Sequence, residues 1–123
     1  MAGRKILVVD DSELVLAMAK EFLEQGGFTV VTAENGIEAN RHIYATDKPD
    51  LIILDVMLPM LEGNKKAKML KEKEDTKHIP ILLLSSKEES ELQRLTAEAG
   101  AEGYIRKPFT PELIVSRVEK FLR

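Results

Sequence analysis

Polar side chains with complementary chemistry end four aliphatic segments of this sequence. Two of these segments run into carboxylates: the one that begins near residue 5 ends at Asp10-Asp11, and the one that begins at residue 51 ends at Asp55. A hydroxyl ends the next segment, at Ser85, and an ammonium group follows the last one, at Lys107. Carboxylates gathered in one pocket repel one another by about 4 kcal/mol per pair at a separation of about 4 Å and an effective dielectric constant of about 20. If these side chains meet, they need a bound cation.

The residue types favour one particular cation and one reaction. A site with oxygen ligands only, without His or Cys, suits a hard ion, and a site that keeps several waters beside a phosphate group suits Mg²⁺ best. Lys107 would supply a second positive charge for phosphoryl oxygens, and the Ser85 hydroxyl would donate to another of them. Asp55 is then the nucleophile that accepts a phosphoryl group as an acyl phosphate.

Each of these residues, taken singly, also has a structural interpretation. Asp10 and Asp11 are typical N-cap residues of a helix, and Asp55 is typical of a turn. Ser85 alone reads as a structural hydroxyl, and Lys107 alone as surface charge. The functional interpretation therefore depends on whether the fold brings the four segment ends together.

The elements that would position these residues follow from the hydrophobic pattern. Five aliphatic segments begin near residues 5, 28, 51, 81 and 103, with helical periodicity between them. Continuous apolar character indicates strands covered on both faces, as in a parallel sheet. The sequence thus predicts an α/β fold, one doubly wound (βα)5 domain over residues 1–123. In such sheets the ligand site lies outside the carboxyl ends of the strands, where the polar residues fall.

Two of the helices are clearly delimited. The first follows Ser12 and stops at Gly26-Gly27, a C-terminal signal, and the last begins at Thr110 and Pro111. The predicted apolar face of the first helix consists of Leu14, Val15, Met18, Phe22 and Leu23.

The helices near residues 35–46 and 64–74 are less regular. Asn40 and Lys66 stand where packing against a sheet favours an apolar residue. The second of these helices is also rich in lysine, which indicates either a solvated face or a basic docking patch for an acidic partner. The lysines are Lys65, Lys66, Lys68, Lys71 and Lys73.

Composition excludes several classes of function. The sequence has no cysteine, which rules out disulfides, zinc-thiolate sites and thiol nucleophiles. A net charge of −3 and 5% aromatic residues argue against direct binding of nucleic acid by this chain. No apolar stretch approaches the roughly 18 to 20 residues that span a bilayer. We therefore expect a cytoplasmic protein that is not inserted in a membrane.

Taken together, the motifs resemble those of the receiver domain of two-component response regulators, over essentially the whole chain. In that family an acidic pair follows the first strand, and the phosphoacceptor aspartate ends the third, with proline four residues on and glycine eight on. A Ser or Thr ends the fourth strand, and a Lys-Pro pair follows the fifth. The matching residues are Asp10-Asp11, Asp55, Pro59, Gly63, Ser85 and Lys107-Pro108.

The resemblance implies a flavodoxin-like sheet with strand order 2-1-3-4-5. It implies that Mg²⁺ is held by Asp10, Asp11, Asp55 and the backbone carbonyl of Met57. Asp55 would be phosphorylated by a sensor histidine kinase or a histidine phosphotransfer protein. Such a domain catalyses its own phosphorylation and dephosphorylation and is not a turnover enzyme.

The resemblance further implies a conformational switch. Ser85 would move toward the phosphoryl group, and Tyr104 would turn inward into the space that it leaves. The surface formed by the fourth helix, fifth strand and fifth helix would change and would be read by a downstream protein target or output domain. The alternative for Tyr104 is a fixed, half-buried aromatic side chain. A cis peptide bond at Lys107-Pro108 is also implied.

The sequence departs from the family pattern at two positions. Glu62 stands where Asp or Asn is usual before the glycine, and Ser86 replaces the commoner Ala or Gly. Neither change removes a group that the mechanism needs. Met57 and Lys87 occupy the variable positions that flank the phosphorylation site. We hypothesise that they shield the acyl phosphate and slow its hydrolysis.

Three other functions remain as alternatives. A haloacid-dehalogenase-like phosphohydrolase also uses a strand-end aspartate and magnesium, but it needs a second acid two residues later, where this chain has Met57. A degenerate receiver that acts as a scaffold without phosphorylation would not need the intact set of residues. Dinucleotide binding is disfavoured because no glycine-rich turn follows the first strand.

Overall fold

Five strands alternate with five helices in the computed structural model, which describes residues 3–122. The domain prediction of 1–123 also includes Met1, Ala2 and Arg123, which lie outside the described residues. The strands are β1 (Lys5–Val9), β2 (Thr29–Ala33), β3 (Leu51–Asp55), β4 (Ile81–Ser85) and β5 (Gly103–Arg106). The helices are α1 (Glu13–Gln25), α2 (Gly36–Ile43), α3 (Gly63–Glu72), α4 (Glu89–Ala99) and α5 (Pro111–Phe121).

The sheet is parallel throughout and has the order β2-β1-β3-β4-β5. This order confirms the predicted doubly wound fold. The register aligns the carboxyl ends of the strands, because Val9 pairs with Leu54 and Asp55 pairs with Leu84. Since β1 and β3 are adjacent although β2 intervenes in sequence, the chain reverses direction across the sheet between them, which is where such folds place their ligand site.

The continuous aliphatic strands pack on both faces of the sheet. Alternate residues point to opposite sides, so Leu7 and Leu54 contact the layer formed by α2, α3 and α4, whereas Val8 and Ile53 contact α1 and α5. All four side chains are fully buried. Burial of each such side chain contributes roughly 1.5 to 3 kcal/mol to the stability of the fold. The sheet is therefore a stable support for the residues at its rim.

The buried stripe of α1 differs from the predicted one. Leu14 is 69% exposed, and Leu16, Ala19 and Leu23 are the buried residues of this helix. The apolar arc of α1 is wider than the stripe that the sheet covers, and Leu14 lies at its uncovered edge. The prediction was therefore wrong for Leu14.

The two unexpected polar residues of α2 and α3 contact each other. The Lys66 Nζ donates a hydrogen bond to Asn40 Oδ1 at 2.7 Å, and Lys66 is only 7% exposed. Lys66 is thus part of neither a solvated face nor a surface patch, which corrects both interpretations at that position. Lys71 is also half-buried, and its ammonium forms an ion pair with Glu102 at 2.8 Å. Across residues 3–122, no helix has the length and apolar character needed to cross a membrane.

Candidate functional site

The carboxyl ends of the strands bring together the acidic residues and the lysine that the sequence singled out. Lys107 Nζ lies 2.8 Å from Asp10 Oδ2 and 3.5 Å from Asp55 Oδ1. Asp10 is fully buried and Asp55 is 3% exposed, whereas Asp11 is exposed at the rim. One carboxylate oxygen from each of Asp10, Asp11 and Asp55 lies within 4.8 Å of the others. The predicted convergence is therefore present for the three carboxylates and for Lys107.

The turn after β1 explains how Asp10 is held. Its backbone N–H donates to the carbonyl of Ala33 at 3.1 Å, which extends the β1–β2 pairing by one residue. Its Oδ1 accepts a hydrogen bond from the backbone N–H of Ser12 at 2.8 Å. Ser12, in turn, caps α1 by accepting from the N–H of Val15 at 3.3 Å. Ser12, and neither aspartate, is thus the N-cap, so Asp10 is free to point its second oxygen into the site.

The segment after β3 folds back over the strand end and fixes Asp55. The Asp55 Oδ1 accepts a hydrogen bond from the N–H of Met57 at 3.3 Å, and Gly63 N–H donates to the carbonyl of Val56 at 3.0 Å. A Cβ on Gly63 would lie 1.9 Å from the backbone oxygen of Asp55, so only glycine permits this approach. Met60 in the same segment has a left-handed φ of 70°. Asp55 is therefore held by local backbone geometry.

Burial and neighbouring charges shift the pKa values of the central pair. Burial raises the pKa of the Asp55 carboxyl, and the charge of Asp10 raises it further, whereas Lys107 and the N–H of Met57 partly offset both effects. Burial alone would lower the pKa of the Lys107 ammonium. Its 2.8 Å contact with Asp10 and the charges of Asp55 and Asp10 outweigh burial, so the pKa of Lys107 is raised. The charged form of Lys107 is therefore stabilised in the site, whereas ionisation of Asp55 is disfavoured.

The cluster fits a hard divalent cation. Asp10 Oδ2 is buried and accepts no hydrogen bond from the described part of the chain, and its contact with Lys107 is an ion pair. Three carboxylates share one ammonium, so the cluster carries excess negative charge. Oxygen ligands with this charge are those that Mg²⁺ and Ca²⁺ prefer in proteins. Asp10, Asp11 and Asp55 are the residues that could supply carboxylate ligands.

Ser85 and Lys87 lie at the end of the neighbouring strand. Ser85 is 1% exposed, and its Oγ accepts a hydrogen bond from the N–H of Lys87 at 3.0 Å. The carbonyl of Lys87 accepts from Arg106 Nε at 3.1 Å, and Lys87 Nζ lies 3.6 Å from the carboxylate of Glu91. The Ser85 hydroxyl thus lies at the carboxyl edge of the sheet, and the hydrogen bond that it accepts comes from the loop between β4 and α4.

Tyr104 is half-buried on β5 and contacts both helices beside it. Its hydroxyl accepts a hydrogen bond from Gln93 Nε2 on α4 at 3.2 Å. The guanidinium of Arg117 on α5 lies 5.7 Å from the ring centre and donates to the Tyr104 carbonyl at 2.8 Å. A change in the position of this ring would therefore alter contacts with both α4 and α5.

Sequence reasoning missed the contact between Asn40 and Lys66 and the left-handed residue Met60. Two polar residues at core-facing positions of separate helices were visible in the sequence. They were a signal that each side chain needs a polar partner, but nothing in the sequence specifies that the two contact each other. The backbone conformation of Met60 has no comparable signal, because methionine rarely adopts it.

The family model of the response regulator receiver domain matches residues 6–119. The chain belongs to the response regulator receiver family. It is 43% identical over 121 residues to the alkaline phosphatase synthesis transcriptional regulatory protein PhoP of Bacillus subtilis, covering 98% of this chain and 49% of that protein. It is 41% identical over 123 residues to the phosphate regulon transcriptional regulatory protein PhoB of Pseudomonas aeruginosa, covering 100% of this chain and 53% of that protein.

A solved structure gives the same result for the fold. The chemotaxis response regulator CheY4 of Vibrio cholerae superposes with a TM-score of 0.88 at 32% identity, covering 98% of this chain and 99% of that one. The receiver domain described here spans about half the length of the curated relatives it matches. It is a receiver domain of the two-component response regulator type, which is a signalling domain rather than a classical enzyme.

The structure bears on the implied cis peptide bond and on the two departures from the family pattern. The Lys107-Pro108 peptide bond is cis. The two departures, Glu62 and Ser86, are both exposed, and Glu62 forms an ion pair with Lys65 at 3.3 Å. Neither side chain belongs to the acidic cluster.

Proposed function

We propose that residues 1–123 form a single cytoplasmic receiver domain in which Asp55 accepts a phosphoryl group from a sensor histidine kinase or a histidine phosphotransfer protein. The observation that carries this proposal is the placement of Asp55 at the end of β3, buried beside Asp10 and 3.5 Å from the Lys107 ammonium. Burying a carboxylate carries a large desolvation cost, which a bound cation would offset. A role as phosphoacceptor gives a reason for keeping an acid in that position.

The chemistry follows from the arrangement of the side chains. An Asp55 oxygen attacks phosphorus, and the bond from phosphorus to the imidazole nitrogen of the donor histidine breaks, leaving its electron pair on that nitrogen. Lys107, already between the two buried carboxylates, holds a phosphoryl oxygen. Bound Mg²⁺ would neutralise charge on the phosphoryl oxygens. Its ligands would be the carboxylates of Asp10, Asp11 and Asp55 and the carbonyl of Met57.

We propose that the signal leaves the site through Ser85 and Tyr104. The Ser85 hydroxyl, which accepts from the N–H of Lys87, donates its own proton in a hydrogen bond to a phosphoryl oxygen, which draws the loop between β4 and α4 toward the site. Tyr104 then gives up its contact with Gln93 and turns inward. The α4-β5-α5 surface changes and is recognised by a downstream protein or an output domain, without direct contact between this domain and nucleic acid or membrane.

Two side chains near the site would set the lifetime of the phosphoryl group. Met57 is 61% exposed beside Asp55, and Lys87 lies in the loop that follows Ser85. We propose that the thioether of Met57 and the long stem of Lys87 restrict the approach of water to the acyl phosphate, so that it hydrolyses slowly.

Intact-mass spectrometry after incubation with acetyl phosphate tests the proposed function. We expect a single phosphoryl adduct in the presence of Mg²⁺ and none when the metal is chelated. Asp55→Asn should lose the adduct. Asp75→Asn, the same change at an exposed position, should retain it. Equal incorporation into Asp55→Asn would contradict the proposal, and rapid turnover of a generic phosphate ester would favour a phosphohydrolase.

A further inference from the structure

A cavity of about 170 Å³ is lined by α2, α3 and the segment that follows β3, and none of its lining residues belongs to the acidic cluster. Apolar side chains form much of its wall, and two of them, Ile37 and Met60, are 66% and 77% exposed, so the cavity opens to solvent. Lys66 and Asn40 form its polar part. An apolar cavity that contains a buried amine is unusual, because lysine is almost never fully buried without a charged partner.

Lys66 is buried on α3 and, unlike Lys65 and Lys71, has no carboxylate partner within residues 3–122. Lys65 pairs with Glu62 at 3.3 Å, and Lys71 pairs with Glu102 at 2.8 Å. Within residues 3–122 Lys66 forms no ion pair, and its ammonium donates a hydrogen bond to the neutral amide oxygen of Asn40. An ammonium has three donors, so a single neutral acceptor leaves the charge uncompensated.

A buried ammonium without a carboxylate partner loses its proton more easily than an exposed one. Burial lowers the pKa of Lys66, and the charge of Lys73 lowers it further. The neutral amine is a nucleophile, whereas exposed lysines remain mostly protonated at physiological pH. Lys66 therefore combines an amine that is more easily deprotonated with a position in the wall of a cavity.

We propose that Lys66 is a modification site that accepts a short acyl group, such as acetyl, from an acyl phosphate. The amine nitrogen attacks the acyl carbon, the bond from that carbon to the phosphate oxygen breaks, and phosphate leaves with the electron pair. The proton lost from nitrogen passes to the leaving phosphate or to water. The products are the amide of Lys66 and inorganic phosphate.

The site fits the product better than the free lysine. The amide N–H keeps a donor for Asn40 Oδ1, and the charge that had no carboxylate partner is removed. The acetyl group adds three heavy atoms, which occupy roughly 90 Å³ if each takes the roughly 30 Å³ of a water molecule. The cavity of about 170 Å³ accommodates this volume among Ile37, Met60 and Met69. This inference does not depend on the role of Asp55.

The rate of acetylation at individual lysines tests the proposal. The full chain is incubated with acetyl phosphate and a metal chelator, and peptide mass spectrometry compares Lys66 with Lys65 and Lys68 on the same helix. We expect Lys66 to react several-fold faster than either, and the difference to disappear in concentrated urea. A Lys66 rate no higher than that of its neighbours overturns the proposal, as does a preference that persists in the unfolded chain.

A matched pair of variants tests the physical cause. Asn40→Asp places a carboxylate at the same distance from the amine, so the ammonium gains a partner and the Lys66 rate should fall several-fold. Asn64→Asp makes the same change on α3 beside a different groove, lined in part by Lys65 and Lys68. It should leave the Lys66 rate unchanged. An undiminished Lys66 rate in Asn40→Asp overturns the proposal.

Discussion

Replacing Asp55 with asparagine is expected to stabilise the protein when magnesium is absent. The Lys107 ammonium at 3.5 Å attracts the Asp55 carboxylate by about 5 kcal/mol at an effective dielectric constant of about 20. Asp10, with an oxygen within 4.8 Å, repels it by at least about 3.5 kcal/mol, and exposed Asp11 adds a smaller repulsion. The charge interactions thus cancel to within about 1 kcal/mol.

The cost of burying the carboxylate then decides the sign. Desolvation of a buried ion costs several kcal/mol after relaxation, so Asp55→Asn should raise the free energy of unfolding by about 1 to 3 kcal/mol at neutral pH. Because the pKa of Asp55 is raised above its ordinary value of 3.8, the gain should vanish below pH 3.8. It should be complete above the raised folded-state pKa.

Urea denaturation in magnesium-free buffer measures this difference. Asp75→Asn is the control and should change the free energy of unfolding by less than about 0.5 kcal/mol. Magnesium at about 100 times its dissociation constant should then stabilise the wild type by about 2.7 kcal/mol, and Asp55→Asn by less, since one carboxylate ligand is gone. A variant that is less stable than the wild type without magnesium would refute the electrostatic reasoning.

Three further outcomes are expected. Gly63→Ala should destabilise the fold by about 1 to 3 kcal/mol in urea denaturation because its Cβ meets backbone, whereas Gly36→Ala, which meets only a flexible side chain, should change stability by less than about 1 kcal/mol. Lys66→Met should raise stability by about 1 to 2 kcal/mol at neutral pH. That gain should shrink as pH rises from the lowered folded-state pKa of Lys66 toward 10.5, because the folded wild type then loses the buried charge. An equal gain in stability at neutral pH and near pH 10.5 would contradict this reasoning. Alanine at both Met57 and Lys87 should shorten the phosphoryl lifetime several-fold by mass spectrometry, and an unchanged lifetime would exclude shielding.

The sheet and the position of the site were predictable because both depend on strong, local signals. Runs such as Ile6–Val9 and Leu51–Leu54 are apolar on both strand faces, which only a sheet covered on both sides satisfies. Parallel strands then place Asp10, Asp55 and Ser85 at one edge by geometry alone. The strand order came from the resemblance, since hydrophobic pattern does not specify which strands are neighbours.

Features that depend on contacts between distant segments were not predictable in the same way. Leu14 belongs to an apolar arc wider than the covered stripe, and only the packing of α1 on the sheet selects the buried side. The Asn40–Lys66 hydrogen bond joins residues 26 positions apart on different helices. Gly63 was matched to a motif, but its steric reason, the close approach to the Asp55 backbone, required coordinates.

Locating the phosphoryl group along the chain tests the central claim most directly. Borohydride reduces an aspartyl phosphate to homoserine but leaves a phosphoserine intact. After incubation with acetyl phosphate and Mg²⁺, followed by borohydride, peptide sequencing by mass spectrometry should find homoserine at position 55 alone. Homoserine at Asp10 or Asp11, or a phosphoryl group retained on Ser85, would contradict the assignment of Asp55 as the phosphoacceptor.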